Sequence, residues 1–249
     1  MIKQLYVNGC SWTDGDGLDK EIGRGPDWRG RNWASQLAKL LNVPVINEGM
    51  GGGSNARIVR LVCDFVRNLP REDRRSTLIV IGWTVTNRDE IYIEETNNWY
   101  PFNSNHEFRG RSYFKPRVDP HKVEDIERIR KQMVAHANTL YADTVRYLNQ
   151  IFLIKNLLEN LGIPFLFFQA LPWIYPEEQI SANETEGNLL KSKFAELECE
   201  HVMSLSKTFN EFIQVNNYPM SDCYHPLTDG HKAWADKLFE ELKNRKIIQ

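Results

Sequence analysis

Thr77-Leu78-Ile79-Val80-Ile81-Gly82 is a continuous apolar run closed by glycine. A strand that alternates apolar and polar residues covers one face. A strand apolar throughout is buried on both, as in the parallel sheets of α/β proteins. Working outward, Phe165-Leu166-Phe167-Phe168-Gln169-Ala170 reads the same way, and Gln4-Leu5-Tyr6-Val7-Asn8 forms a first strand ending at Gly9. Pro44-Val45-Ile46-Asn47 is a shorter second strand, followed by Gly49, Gly51, Gly52 and Gly53. Helical stripes separate these runs. Apolar residues at 33, 34, 37, 40 and 41 mark a helix capped by Asn32. Ile58, Leu61, Val62, Phe65, Val66 and Leu69 mark a second, which Ser54 or Asn55 caps and Pro70 stops. Residues 12–31, rich in Gly and Asp, read as a loop. A long helical region is expected over roughly 122–161, another helix over 188–203, a loop over 217–226 and a closing amphipathic helix from Thr228 to Lys243. Strands alternating with helices predict parallel strands joined by right-handed crossovers, a three-layer α/β/α architecture. Residues 88–121 break the rhythm. They carry Trp99, Tyr100, Phe102, Phe108, Tyr113 and Phe114 with little periodicity, and read as an insertion or lid after the third strand. The whole of 1–249 is expected to form one domain.

Composition narrows the function. The 249 residues are 41% hydrophobic and 26% charged, with 31 basic against 33 acidic side chains, a net charge of −2. No global field marks a nucleic-acid binder. No stretch approaches the ~18 apolar residues that cross a bilayer. The start Met1-Ile2-Lys3-Gln4-Leu5-Tyr6-Val7-Asn8-Gly9 turns polar too early for a secretory signal, so a cytoplasmic location is expected. Cys10, Cys63, Cys199 and Cys223 have no metal-clasp spacing and are expected to be free thiols. The six histidines are scattered with no HExxH, so no metal site is expected.

In parallel sheets of this kind, ligands bind beyond the carboxyl ends of the strands. Three unusual segments fall at such ends: Gly9-Cys10-Ser11, Gly49 to Ser54, and Gly82-Trp83-Thr84. Ser11 can present its hydroxyl there, or serve as a turn or cap residue. The glycine cluster offers bare backbone N–H groups to a phosphate, a dinucleotide or an oxyanion. It has no following Gly-Lys-Ser/Thr and lies after the second strand, so it matches neither a Walker loop nor a dinucleotide fingerprint. Asp222-Cys223-Tyr224-His225-Pro226 puts an Asp three residues before a His, which suits a carboxylate orienting a general base. It equally suits a capping arrangement ahead of Thr228. His231 reads as a surface or core residue.

Together these segments resemble the four sequence blocks of the SGNH (GDSL-like) hydrolases. The resembling stretches are Gly9-Cys10-Ser11, Asn47-Glu48-Gly49-Met50-Gly51-Gly52, Gly82-Trp83-Thr84 and Asp222-Cys223-Tyr224-His225-Pro226. The resemblance implies a flavodoxin-like α/β/α fold and hydrolysis of esters. It makes Ser11 the nucleophile, His225 its general base, Asp222 the residue that orients His225, and the N–H groups of Ser11 and Gly52 oxyanion donors. Two departures stand out. Cys10 replaces the usual Asp before the serine, and Thr84 occupies the position of the usual oxyanion Asn, so that Thr84 or the nearby Asn87 is expected as the substitute oxyanion donor. The run from Gly82 to Glu90 is similar to a variant third block of phage or bacterial members. Cys10 is a rival nucleophile, but on an extended chain it points opposite to Ser11, and the resemblance favours Ser11.

The implied mechanism is acyl transfer through an acyl-enzyme, with no metal or organic cofactor. The expected substrate is an acetyl or other acyl ester of a small molecule or carbohydrate. An acyltransferase on the same site, or a non-catalytic binding protein of the same fold, are the alternatives. From 107 to 117 the chain has Arg109, Arg111, Lys115 and Arg117 against Glu107, interleaved with aromatics, which suits an anionic polymer. Charges paired within a solvated loop are the other reading. Trp12, Trp83 and Trp173 adjoin expected strand ends and would line a pocket or belong to the core.

Overall fold

Every residue of Thr77–Trp83 is buried. The computed structural model describes residues 1–22, 28–94, 97–103, 124, 128, 131–132, 140–171, 197, 200–203 and 207–248. In it Thr77–Trp83 is strand β3, flanked by β1 (Gln4–Gly9) and β6 (Phe165–Gln169), with β2 (Val45–Asn47) outside β1. The order β2-β1-β3-β6 is parallel throughout, with Gly9 beside Gly82 and Trp83 beside Gln169 at the carboxyl ends.

Alternation along these strands builds two separate cores. Leu5, Val7, Leu78, Val80, Leu166 and Phe168 face helices α3 (Trp33–Leu41) and α7 (Thr228–Asn244) through Trp33, Leu37, Trp234 and Leu238. Tyr6, Ile79, Ile81, Phe165 and Phe167 face α4 (Asn55–Asn68) and α5 (Leu140–Leu161) through Ile58, Val62, Tyr147 and Ile151. This is the α/β/α sandwich expected from the apolar runs, because a strand covered on both faces needs no polar alternation.

The loop expected over 12–31 is different. Ser11–Asp14 forms a single helical turn, α1, and Leu18–Ile22 forms α2, with a 3-10 turn at Trp28–Arg31; residues 23–27 lie outside the described ones. Elements of four and five residues are too short to carry a 3.6-residue stripe. Tertiary contacts hold them instead. Asn32 caps α3 by accepting the Ser35 N–H at 2.9 Å and also donates its amide to the Asp14 carbonyl at 2.8 Å. Asn32→Ala removes both bonds and is expected to cost about 2 kcal/mol. Urea denaturation checks it, and a midpoint unchanged from wild type would refute the double role.

Part of the expected insertion is an antiparallel hairpin, β4 (Arg88–Ile93) with β5 (Asn98–Asn103). Arg60 of α4 anchors it, with Nε and a terminal nitrogen 2.7 and 2.8 Å from the two Glu90 carboxylate oxygens. The remaining stretch 104–121, with Arg109 and Arg111, lies outside the described residues, as do Trp173, most of 122–139 and most of the helix expected over 188–203. A short helix, α6 (Phe209–Val215), precedes the carboxyl-terminal loop.

Candidate active site

β1 ends at Gly9, Cys10 leaves the sheet in extended conformation, and Ser11 opens α1. Cys10 packs into the core below, fully buried, whereas Ser11 is 6% exposed. Among the described residues the Ser11 hydroxyl makes no hydrogen bond.

The glycine loop closes over α1. Met50 N–H donates to the Gly9 carbonyl at 3.2 Å, and Asn47 donates its amide to the Thr13 carbonyl at 3.1 Å while accepting the Gly49 N–H at 2.8 Å. The approach is close enough that a Cβ on Gly49 would lie 2.7 Å from the Asp14 backbone nitrogen. Gly52 is exposed and in the left-handed region, φ +74°, with open space where a Cβ would stand. The segment after β3 lies alongside, because Gly82 pairs with Gly9. Asn55, the first residue of α4, clamps it. Its amide donates to the Thr84 and Val85 carbonyls, both at 3.2 Å, and its oxygen accepts the Thr84 N–H at 3.0 Å.

The carboxyl-terminal loop joins from the other side. His225 lies with its ring 6.2 Å from that of Trp12, the neighbour of Ser11. A Cβ on Gly17 would lie 2.9 Å from His225 Cβ and 2.7 Å from Ser221 Oγ. The end of α2 is tied to the start of α7 by Glu21, whose carboxylate accepts from Thr228 N–H at 2.9 Å and from its hydroxyl at 2.7 Å. All four resembling segments therefore meet at the carboxyl ends of β1 and β3.

Three expectations need correction. Asp222 does not orient His225. It is exposed and makes neither hydrogen bond nor ion pair with the ring; His225 Nδ1 instead faces Cys223 Sγ at 3.3 Å. The reason is the local turn. Tyr224 takes φ +59°, Ser221 N–H donates to the His225 carbonyl at 2.8 Å, and Tyr224 N–H donates to the Ser221 carbonyl at 2.9 Å. That reversal brings the residue two before His225 under its ring, not the residue three before. Trp12 and Trp83 do not line a pocket, being 2% and 0% exposed. Trp12 packs edge-on against Phe209 in one core, and Trp83 against Phe167 and Tyr147 in the other. Thr84 is also fully buried, and its hydroxyl accepts from the Arg88 guanidinium at 3.1 Å, so it holds the β3–β4 turn; Asn87 is buried in the same turn.

The charges near Ser11 are acidic and partly desolvated. Burial raises the Asp14 carboxyl, opposed by Arg29, whose Nε lies 3.1 Å away. Burial raises Asp16 too, reinforced by Asp19. A cleft of about 710 Å³ opens at the opposite end of the sheet, lined by Ile2, Arg75, Phe165 and Lys246 among others, and none of the site residues reaches it.

His231 is wholly buried, its Nδ1 accepting the Trp33 N–H at 3.2 Å. Burial, with a smaller push from His225, lowers its pKa from 6.5 to about 3. The folded state therefore favours the neutral ring. That contribution is complete above pH 6.5 and is lost as the pH falls towards 3. His231→Asn, whose oxygen can still accept from Trp33, is expected to flatten the acid limb of a plot of denaturation midpoint against pH. Superimposable limbs would assign the acid sensitivity to other groups.

Sequence reasoning missed Asn55, read only as a cap, and Cys223, read only as a free thiol. No spacing signal marks either. Both are placed by backbone turns that form only in the folded chain.

The model of a family of unknown function, DUF6071, matches residues 17–184, more than half of the chain. The chain belongs to that family. The matched stretch includes the glycine loop and the end of β3, but neither Ser11 nor His225. No curated protein matches the chain. Among solved structures it is similar to a carbohydrate esterase family 2 enzyme with its carbohydrate-binding domain from Corynascus thermopiles (Myceliophthora fergusii), at 14% identity and a TM-score of 0.49, covering 98% of this chain and 66% of that one. It is also similar to a lipolytic protein of the G-D-S-L family from Veillonella parvula DSM 2008, at 13% identity and a TM-score of 0.49, covering 96% and 97%. A third is an acetyl xylan esterase from Butyrivibrio proteoclasticus, at 13% identity and a TM-score of 0.49, covering 99% of this chain and 65% of that one.

Proposed function

We propose that the chain is a serine hydrolase of the SGNH type that cleaves a short acyl ester, such as an acetyl ester, of a small molecule or carbohydrate. The observation that carries this reading is the convergence of Ser11, the glycine loop and His225 at the carboxyl end of β1, from segments more than 200 residues apart.

In this reading Ser11 Oγ attacks the ester carbonyl while His225 Nε2 takes its proton. The carbonyl oxygen becomes an oxyanion, held by the backbone N–H groups of Ser11 and Gly52. The exposed, left-handed Gly52 supports this role, because a side chain there would be strained and would cover the amide. His225 then returns the proton to the leaving alkoxide, and water releases the acid by the same steps in reverse order. One side-chain oxyanion donor is worth ~3 kcal/mol, or roughly 100-fold in rate. With Thr84 committed to Arg88, modest turnover is expected.

The test is release of p-nitrophenol from p-nitrophenyl acetate by the full chain. Saturable turnover above the buffer rate is the expected result. Hydrolysis no faster than with an equal concentration of the Ser11→Ala protein would sink the proposal.

A further inference from the structure

The turn Ser221–His225 holds two side chains, Ser221 and Cys223, that the hydrolase reading leaves unused. Cys223 Sγ is 3.3 Å from His225 Nδ1 and 3.1 Å from Ser221 Oγ, and the same hydroxyl accepts the His225 N–H at 3.2 Å and donates to its carbonyl at 3.2 Å. The arrangement is confined from behind. Gly17, at φ +95°, leaves no room for a Cβ between the first helical segment and Ser221 or His225. Ser221 and His225 are thus held by the backbone of the turn and by the packing of another segment, and Cys223, itself exposed, is held between them through its contacts with both.

A general base needs its second ring nitrogen occupied. A partner accepting the Nδ1 proton fixes the tautomer that leaves Nε2 basic, and stabilises the imidazolium formed when Nε2 takes the serine proton. Cys223 Sγ lies 3.3 Å from Nδ1. Asp222 and Cys223 are both exposed, and of the two only Cys223 contacts this ring nitrogen. We propose that Cys223, not Asp222, is the positioning residue for His225, its sulfur accepting the Nδ1–H bond and the Ser221 hydroxyl holding that sulfur in place. This rests on the reading of Ser11 and His225 as nucleophile and base. Sulfur is a weak acceptor while it keeps its proton, so the orienting partner is weaker than a carboxylate. A carboxylate at position 223 should serve at least as well.

The experiment measures the rate at which a fluorophosphonate probe labels Ser11 in the full chain. The wild type, Cys223→Ala, Cys223→Asp and Asp222→Asn are compared, with thermal denaturation of each protein alongside. Cys223→Ala is expected to slow labelling about tenfold or more. Cys223→Asp should restore the wild-type rate or exceed it, and Asp222→Asn should match the wild type. A purely structural cysteine would not be rescued by aspartate. Labelling of Cys223→Ala at the wild-type rate overturns the proposal, as does Cys223→Asp remaining as slow as Cys223→Ala, or Asp222→Asn slowing as much as Cys223→Ala. Absence of labelling in a folded wild type is a different failure, because it removes the serine hydrolase reading itself.

Discussion

Ser11→Ala is expected to lower ester turnover by about ten-thousand-fold or more while leaving the melting temperature essentially unchanged. The two halves of this expectation have separate causes. The hydroxyl is the proposed nucleophile, and the rival in the adjoining position, Cys10, is fully buried in the core below. Yet the same hydroxyl makes no hydrogen bond among the described residues, so removing it leaves no buried partner unsatisfied. Its stability cost should be within about 0.5 kcal/mol. Initial rates on p-nitrophenyl acetate and a thermal melt on the same preparation check both. A variant that loses activity and melts early would point to a structural serine. One that keeps activity would remove Ser11 from the chemistry.

Gly9→Ala should destabilise the fold strongly. A Cβ at Gly9 would lie 2.1 Å from Thr13 Oγ1 and 2.9 Å from the Gly82 carbonyl oxygen. The threonine can rotate. The carbonyl belongs to β3 and is fixed by the Gly9–Gly82 pairing. Relief therefore requires β1 and β3 to part just where Ser11 leaves the sheet. A cost of about 3 kcal/mol is expected, which lowers the melting temperature by roughly 6–12 °C in a chain of this size. Gly52→Ala is the control. Nothing lies near its Cβ, and only the left-handed backbone opposes it, at about 1 kcal/mol. Equal melting shifts for the two variants would contradict the close approach at Gly9.

The central sheet was legible because burial on both faces leaves a mark in composition. Thr77–Trp83 and Phe165–Gln169 are apolar at nearly every position, which no half-exposed strand is, and are too short for a buried helix. The caps at Asn32 and Ser54 were legible for a local reason, since each side-chain oxygen bonds an N–H three residues on. Features that depend on distant partners were not. α1 and α2 are too short to show a period, and the Arg88–Asn103 hairpin carries polar residues where a strand signal would sit. Tryptophans at strand ends gave no indication of which way they faced, and both Trp12 and Trp83 went inward to the cores. At the site, the positions of Ser11 and the glycine loop followed from strand ends and the parallel topology, and that of His225 only from the resemblance. The partner of His225 did not, because an Asp-x-x-His spacing is silent about the hand of the turn. One left-handed residue, Tyr224, exchanges Asp222 for Cys223 beneath the ring.

The most direct measurement is the location of a single covalent adduct. The full chain is incubated with a fluorophosphonate and digested with trypsin, and the peptide Gln4–Lys20 is sequenced by mass spectrometry. One phosphonyl group on Ser11, formed only in folded protein and prevented by His225→Ala, is the predicted result. An unmodified Ser11 in folded protein, or an adduct carried by another residue, would contradict it.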